Sequence, residues 1–600
     1  MSLPIFKSLV FLRGFFFDHM KHITLGIFLL FNCIQAKAQV QLLPQAVDQG
    51  NVKFNPKNLV GYANVQAGLR FNDRDRGNVS ILLLDSIDQY IVDSNSYSIV
   101  EFNIGSIATQ NISFDMLRPI SKSGRFGVNL KRTSNPGWVP RSFVRETQLG
   151  LALSLDISKS ITTNAYYDLS ILDREQNGGI LDTTQYSLSI DGATGLGLLS
   201  NVFLEDAYSR LSSQNLGNEW KYKAAKAGKT KIQAGLGARI SSSKFNYTDN
   251  VTDSAYYSQY GVAVANVVLD SFELTGLGIK PHINLIWGDT NTKNQLEVDV
   301  GLDQAWYVMR NNGRESRPMN QRAYSLVQLE SRRLFLVSTS EFYITGFNKG
   351  DYKHKAHLNY SLSKQDSLHR VGVEVFGGVR FQKSRQSIIT QHYLSTVKTS
   401  LHNVAPSIYT DIRFGAAIRF GKMHWQNQFL YQRTQDFVFF DQYGNVNQMT
   451  SDIDLAAGTT RLGLKLDHLF FESSLTYQWN KRIYEYALPE WVNSTVLSTN
   501  WPLFENRLHV AAGLKSIFFS RYNAPGYIPF YDAGYSQGAH KFDDYFQLDA
   551  FVDLQIKTVT VGIGAMNTLY GLVNDNPLIA PNYVRVPRYF SLKINWTFRN

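Results

Sequence analysis

Tyr589-Phe590-Ser591-Leu592-Lys593-Ile594-Asn595-Trp596-Thr597-Phe598-Arg599-Asn600 is the last stretch of the sequence. Phe590, Leu592, Ile594, Trp596 and Phe598 fall on every second position, so in an extended strand they share one face. Ser591, Lys593, Asn595 and Thr597 take the other face. One apolar face, aromatics near both ends and one polar face suit a transmembrane β-barrel, whose outside meets lipid and whose inside meets water or polar groups. A half-buried edge strand of a soluble sandwich alternates in the same way. The rest of the chain has to decide.

From about Arg125 onward alternation is the rule. Leu149, Leu151, Leu153, Leu155 and Ile157 alternate with small or polar residues, and so do Leu296, Val298, Val300 and Leu302. Val371, Val373, Val375, Val379 and Phe381 repeat the pattern, as do Phe546, Leu548, Ala550, Val552, Leu554 and Ile556. Several segments run to about ten residues, the length a tilted strand needs to cross a bilayer, whereas soluble strands average about five or six. Strand length separates the two classes better than alternation does.

Connections add a second pattern. Read backwards from the end, breaks at 572–587, 521–543, 437–452 and 382–406 are long, and 481–490 is intermediate. They alternate with short breaks at 557–558, 503–506, 467–468 and 421–422. Short turns at one end and long loops at the other are how outer-membrane barrels are built. Carried back to Arg125, this parity gives roughly twenty strands with both barrel termini on the short-turn side. The expectation is an all-β protein, a transmembrane antiparallel β-barrel with an even strand number of about 14–20, short periplasmic turns and long extracellular loops.

The N-terminus supplies an address. Met20-Lys21-His22, an apolar run over 23–31 and Ala36-Lys37-Ala38 are the charged region, apolar region and cleavage site of a secretory signal. Cleavage is expected after Ala38, and the second apolar stretch before Met20 makes Met20 the simpler start than Met1. The expected organisation is a signal peptide over 1–38, an N-terminal periplasmic or lumenal segment over 39–122, and the barrel over 123–600. The one cysteine, Cys33, lies inside the signal, and Asn32 before it fits a lipid-attachment site poorly. A mature chain without cysteine excludes disulfide, thiolate-metal and Cys-nucleophile chemistry. The formal net charge is +11, with no Lys/Arg block and no nucleic-acid motif, so no nucleic-acid partner is expected.

Several short motifs resemble the putative porin family of the Bacteroidetes lineage. They are Phe102-Asn103-Ile104-Gly105-Ser106, Gly124-Arg125-Phe126-Gly127-Val128-Asn129 with Gly137-Trp138, and Glu175-Gln176-Asn177-Gly178-Gly179-Ile180. Leu488-Pro489, Asn506-Arg507-Leu508 and the loop from Tyr522 to Tyr535 are similar to that family's C-terminal third. The likeness runs from about residue 80 to 600 and implies an outer-membrane pore, without supplying a substrate or catalytic residues. Phe598 is followed by Arg599 and Asn600, a departure from the commonest barrel ending.

Few residues suggest chemistry. His354 and His357 have an odd separation that puts them on opposite faces of a strand, and no His-Glu-x-x-His appears. Gly195-x-Gly197 and Gly562-x-Gly564 lack the helix and the Lys-Ser/Thr of a phosphate loop. No Gly-x-Ser-x-Gly elbow is present, so no enzyme activity, cofactor or metal is expected. The informative polar residues are those expected to line a pore: Glu297, Asp299, Asp303, Glu374, Arg380, Arg413, Arg419, Asp549, Asp553 and Lys593. Facing lipid at the midplane, an Arg or Lys would cost about 2–4 kcal/mol. Two readings of these charges stay open: opposed rows that set ion preference, or salt bridges that stiffen a filled barrel. The aromatic loop from Tyr522 to Tyr535 reads first as an interfacial girdle with loop packing, and second as a surface that stacks on sugars or as an inward constriction.

The expected protein is therefore an outer-membrane porin of a Gram-negative bacterium, a passive channel for small hydrophilic solutes. Its partners would be outer-membrane lipid, the barrel-assembly machinery reading the strand Phe590, Leu592, Ile594, Trp596 and Phe598, and other copies of itself only by analogy with other porins. The alternative is a non-conducting barrel that binds at the surface or serves as a structural protein. A TonB-dependent transporter fits less well, because the region before Arg125 is short for a plug domain.

Overall fold

The computed structural model describes residues 96–599, apart from 107–108, 122, 138, 183–200, 228, 251–253, 262–266, 290–293, 363–370, 386–394, 398–403, 481–487, 574–577 and 585. The signal-peptide expectation, Cys33 and Gly195-x-Gly197 lie outside the described residues. Among the described residues no helix is long and apolar enough to cross a membrane, and the one named helix is the five-residue Ser254–Ser258.

Twenty-two antiparallel strands form one closed barrel. Closure is made by the stretch that opened the sequence reading. Tyr589–Arg599 pairs with Val559–Met566 on one side and with the first strand, Tyr97–Gly105, on the other. Tyr97 stands opposite Arg599 and Gly105 opposite Ser591, so both termini of the barrel lie at the same end. Closure removes the exposed edges of an open sheet and satisfies the backbone groups that lipid cannot.

The strand number exceeds the expected range, and the barrel starts at Tyr97 rather than at 123. Tyr97–Gly105 and Gln110–Ser121 supply the two additional strands, paired from Tyr97↔Leu117 to Ile104↔Gln110. Both carry mixed faces that blunt the alternation. Leu117 points inward and is 3% exposed, and Arg118 donates to Ser98 Oγ (3.2 Å).

The parity of turns and loops holds around the circle. Breaks at 157–160, 331–333, 421–422, 466–468, 504–507 and 557–558 lie at the end shared by the termini. The connections 176–206, 250–267, 385–406, 436–452, 520–544 and 567–588 lie at the other. Four neighbouring strands run long: Ala207–Ala227, Thr230–Asp249, Val268–Asp289 and Asn294–Asn311, of 21, 20, 22 and 18 residues. A bilayer needs about ten residues of tilted strand. The surplus carries this part of the wall past the membrane on the long-loop side.

The outside is apolar and exposed. Leu216, Leu236, Ile240, Leu277, Ile283, Val300, Leu514, Val552, Ile563 and Leu592 are all large hydrophobics open to the surroundings. Trp220, Tyr222, Trp287, Phe420, Trp501 and Trp596 mark the short-turn rim, and Tyr352, Tyr477, Trp491 and Phe590 the long-loop rim. Two aromatic girdles around an apolar band are the signature of a barrel sized for a membrane. Replacing Leu514, near the middle of Leu508–Phe519, by Arg is expected to lower the unfolding free energy by about 2–4 kcal/mol in lipid vesicles. Denaturant titration of the folded and unfolded gel bands measures it, and a loss under about 0.5 kcal/mol would mean that this face does not meet lipid.

Candidate pore and its loop constriction

All ten residues expected to line a pore stand on the face opposite the exposed apolar side chains. Asp299 and Asp303 alternate with the outward Val300 and Leu302, Arg413 and Arg419 with Phe414 and Phe420, and Asp553 with Val552 and Leu554. A period of two fixes this, whatever the neighbouring strand does.

The charges pair along the wall. Asp303 accepts from Arg239 (2.9 Å) and from Arg322 (3.0 and 2.8 Å), and Arg322 reaches on to Glu341 (2.6 Å). Tyr324 donates to Asp299 (3.2 Å) beneath the ammonium of Lys280, which lies 4.3 Å from the ring centre. His282 Nε2 sits 3.5 Å from Glu219 and 4.0 Å from Asp299, and Glu219 also pairs with Lys221 (3.1 Å). Glu297 accepts from Asn284 (2.6 Å), and Asp549 accepts from Gln547 (3.0 Å) and the Asn567 backbone (2.8 Å). Arg380 pairs with Asp411, which Arg413 meets only at 3.6 Å. Among the described residues no hydrogen bond or ion pair joins Glu374, Arg419, Asp553 or Lys593. Salt bridges therefore account for part of the wall, and Glu374, Arg419, Asp553 and Lys593 stand outside them.

His354 and His357 sit on opposite faces of Tyr352–Ser361, with His354 Nδ1 2.8 Å from Ser340 Oγ. Gly562 and Gly564 lie within the barrel strand Val559–Met566. No group of three or more His, Cys, Asp or Glu is placed to hold a metal among the described residues.

The long loops turn inward over the mouth. Their apolar side chains form one core: Leu204, Tyr256, Tyr257, Tyr260, Val397, Phe440, Val446, Ile528, Phe530, Tyr531 and Ala533, packed on the inward wall residues Phe245, Tyr247 and Phe272. Five separate connections meet there. Phe530 is completely buried, with ring centres of Tyr260 at 5.0 Å and Tyr531 at 4.6 Å. Polar ties seat the loops on the wall. Tyr257 donates to Asp249 (2.7 Å), and Asp270 accepts from Ser395 Oγ (2.5 Å) and the Thr396 backbone (2.7 Å). The loop from Tyr522 to Tyr535 is thus the centre of an inward constriction. The girdle reading, placed first on sequence, gives way because residues 526–534 are all buried.

This loop is held by a buried ion pair. Arg174, at the end of Ile161–Glu175, has a side chain 1% exposed and pairs with Asp532, 2% exposed. Tyr527 donates to the same carboxylate and stands 3.4 Å from the guanidinium. Gln176 donates to Tyr527 (2.9 Å) and Ser209 (2.7 Å). Gly179, at φ +98°, lies so close to Asn582 that a Cβ would come within 2.6 Å of its side chain. Gly179 therefore lets the loops 176–206 and 567–588 meet, with Ile180 N bonded to Asn582 O (2.8 Å). The Glu175-to-Ile180 motif is the socket of the constriction. Sequence reading found the motif but not its partners, and it left out Arg174 and Asp532.

A closed antiparallel barrel with an apolar belt, two aromatic girdles and an ionisable interior defines an outer-membrane β-barrel. Residues 162–600 match the family described as Putative porin, and the chain belongs to that family. The match takes in the wall from Ile161–Glu175 onward. Solved structures of similar fold include the siderophore receptor PirA from Acinetobacter baumannii, at 10% identity and TM-score 0.58, covering 84% of this chain and 81% of that one. The FrpB iron transporter from Neisseria meningitidis has 8% identity and TM-score 0.57, covering 84% and 83%. The ferric-catecholate import receptor Fiu from Escherichia coli K12 has 12% identity and TM-score 0.53, covering 84% and 82%. These likenesses show the fold alone. No curated protein matches the chain.

Proposed function

We propose that the barrel is a passive diffusion channel for small hydrophilic solutes, sieving by size at the loop core and by charge along the wall. The observation that carries this reading is the inward face. Arg239, Asp303, Arg322, Arg380 and Asp411 stand in a lumen between strands whose other face is apolar. Family membership supports the same reading. Diffusion through such a lumen needs no cofactor, no chemical step and no energy input.

A second reading rests on the strand count. Barrels of 22 strands include plugged transporters, and the fold is shared with siderophore receptors. A receptor of that type would take a larger ligand and depend on energy from the inner membrane.

Conductance of the protein purified from outer membranes separates the two. Stable ohmic steps in a planar bilayer are expected. Silence from a correctly folded, heat-modifiable barrel would overturn the channel reading. Uptake by whole cells that stops when the proton gradient is collapsed would favour the receptor.

A further inference from the structure

Cations on one wall of the lumen stand in file. Inward positions of Val371–Ser384, Ser407–Phe420, Met423–Gln435 and Ile453–Lys465 hold Arg380, Arg413, Arg419, His424, Arg461 and Lys465. The pairing register sets their order along the pore. Arg380 stands opposite Asp411, Arg413 follows, and Ala417 and Arg461 both face Gln426 from either side. Arg419 stands opposite His424, and Lys465 comes at the turn. From Asp411 to Arg419 the file covers roughly 27 Å of strand, at about 3.4 Å per residue.

These cations have too few acids. Asp411 serves two guanidiniums, one of them at 3.6 Å. Glu341, two strands before Val371–Ser384, is taken by Arg322. Glu472 lies diagonally across from Arg461, and Glu374 is the other carboxylate on this wall. The Nε atom of Arg461 is shielded from solvent without a hydrogen-bond acceptor among the described residues, and that of Arg413 has only Asp411, at 3.6 Å. Leaving a shielded charged donor unmet costs more than any neutral donor would. At the short-turn end the file meets an open surface groove of about 450 Å³ lined by Arg419, Lys422, His424, Lys465 and Asp467 among others. Lys422 is paired with Asp467 there, whereas Arg419 meets no acid among the described residues.

We propose that this file is a binding track for small oxyanions, and that the solutes of the channel are small carboxylates or phosphates. The second half of this statement rests on the channel reading; the first does not. Guanidinium forks match carboxylate and phosphate oxygens two at a time, which gives preference over chloride as well as over cations.

Two readouts test the track. In bilayers with a potassium chloride gradient, the reversal potential is expected to show anion preference. Inorganic phosphate or succinate added at the short-turn side is expected to reduce chloride current. The more potent of the two identifies the oxyanion class. Calorimetric titration of the folded barrel in detergent with the same two anions reads binding without conduction. The double variant Arg413→Gln/Arg461→Gln is expected to weaken binding about tenfold or more, since each substitution removes a charged donor to the anion. Arg419→Gln, at an exposed position, is expected to weaken block while leaving folding intact. Ohmic, cation-preferring steps with no heat of phosphate or succinate binding would overturn the track and leave the channel standing. A silent barrel that binds both anions would keep the track and overturn the channel.

Discussion

Replacing Asp532 by Asn, or Arg174 by Met, is expected to release the central loop and widen the mouth. Either change strips one partner from an ion pair whose side chains are 1% and 2% exposed. The stranded charge can reach water only by moving the loop, and an uncompensated buried charge costs about 3–5 kcal/mol. The aromatic core opposes that movement. Its seat, however, is fixed by Tyr527, which bonds to Asp532 and accepts from Gln176, so the polar anchor fails as a unit. The barrel strands keep all their ladder bonds, and the folded band should remain heat-modifiable. The expected result is a larger conductance step and trypsin cleavage at Arg521 or Lys541, the exposed basic residues that bracket the loop. The double variant Arg174→Met/Asp532→Leu removes both charges and should close the mouth again, because apolar replacement of a buried pair is often neutral or stabilising. Unchanged conductance and protease resistance in both single variants would mean that the ion pair does not govern the loop.

Which face each wall residue takes was legible, and how the loops meet was not. The reason is range. Lys593 is placed by the apolar identities of Leu592 and Ile594 beside it, and Asp553 by Val552 and Leu554. The lengths of the connections gave the turn parity and the common end of the barrel termini. It failed at Gln110–Ser121, where an inward Leu117 and an outward Arg118 erase the pattern. Arg174 and Asp532 meet across 358 positions of sequence, and no local period carries that information. The aromatic density of the loop from Tyr522 to Tyr535 was visible. Its destination depended on Tyr256 and Tyr260 from one other loop and Phe440 from a second. For the charges, sequence gave inward position but not pairing. Asp303 meets two arginines, whereas Arg419, five strands on, faces an open groove, because partners come from neighbouring strands whose register sequence did not fix.

Alkaline pH is expected to open the mouth while the barrel persists. Burial holds the phenols of Tyr256, Tyr257, Tyr260, Tyr527 and Tyr583 above their ordinary value, with further raising from neighbouring groups: Asp249 beside Tyr257 and Asp532 beside Tyr527. All five belong to the long connections. A group held more firmly protonated in the closed state stabilises that state fully below its ordinary value, about 10 for a phenol. Above that value the released loops would lose protons that the packed loops retain, so each further rise in pH favours release. Arg174 is the cation nearest Tyr527. The ladder bonds of the wall do not titrate, and the outer band holds no phenol buried in the loop core. Conductance should therefore rise above pH of about 10.5, together with phenolate absorbance, and both should return on neutralisation. Tyr256→Phe and Tyr583→Phe each remove one titrating group from the core, and should move the opening to higher pH. Opening at the same pH in both variants would assign the transition to groups outside the loop core, and phenols that titrate like free tyrosine would mean that the loop core is open at neutral pH.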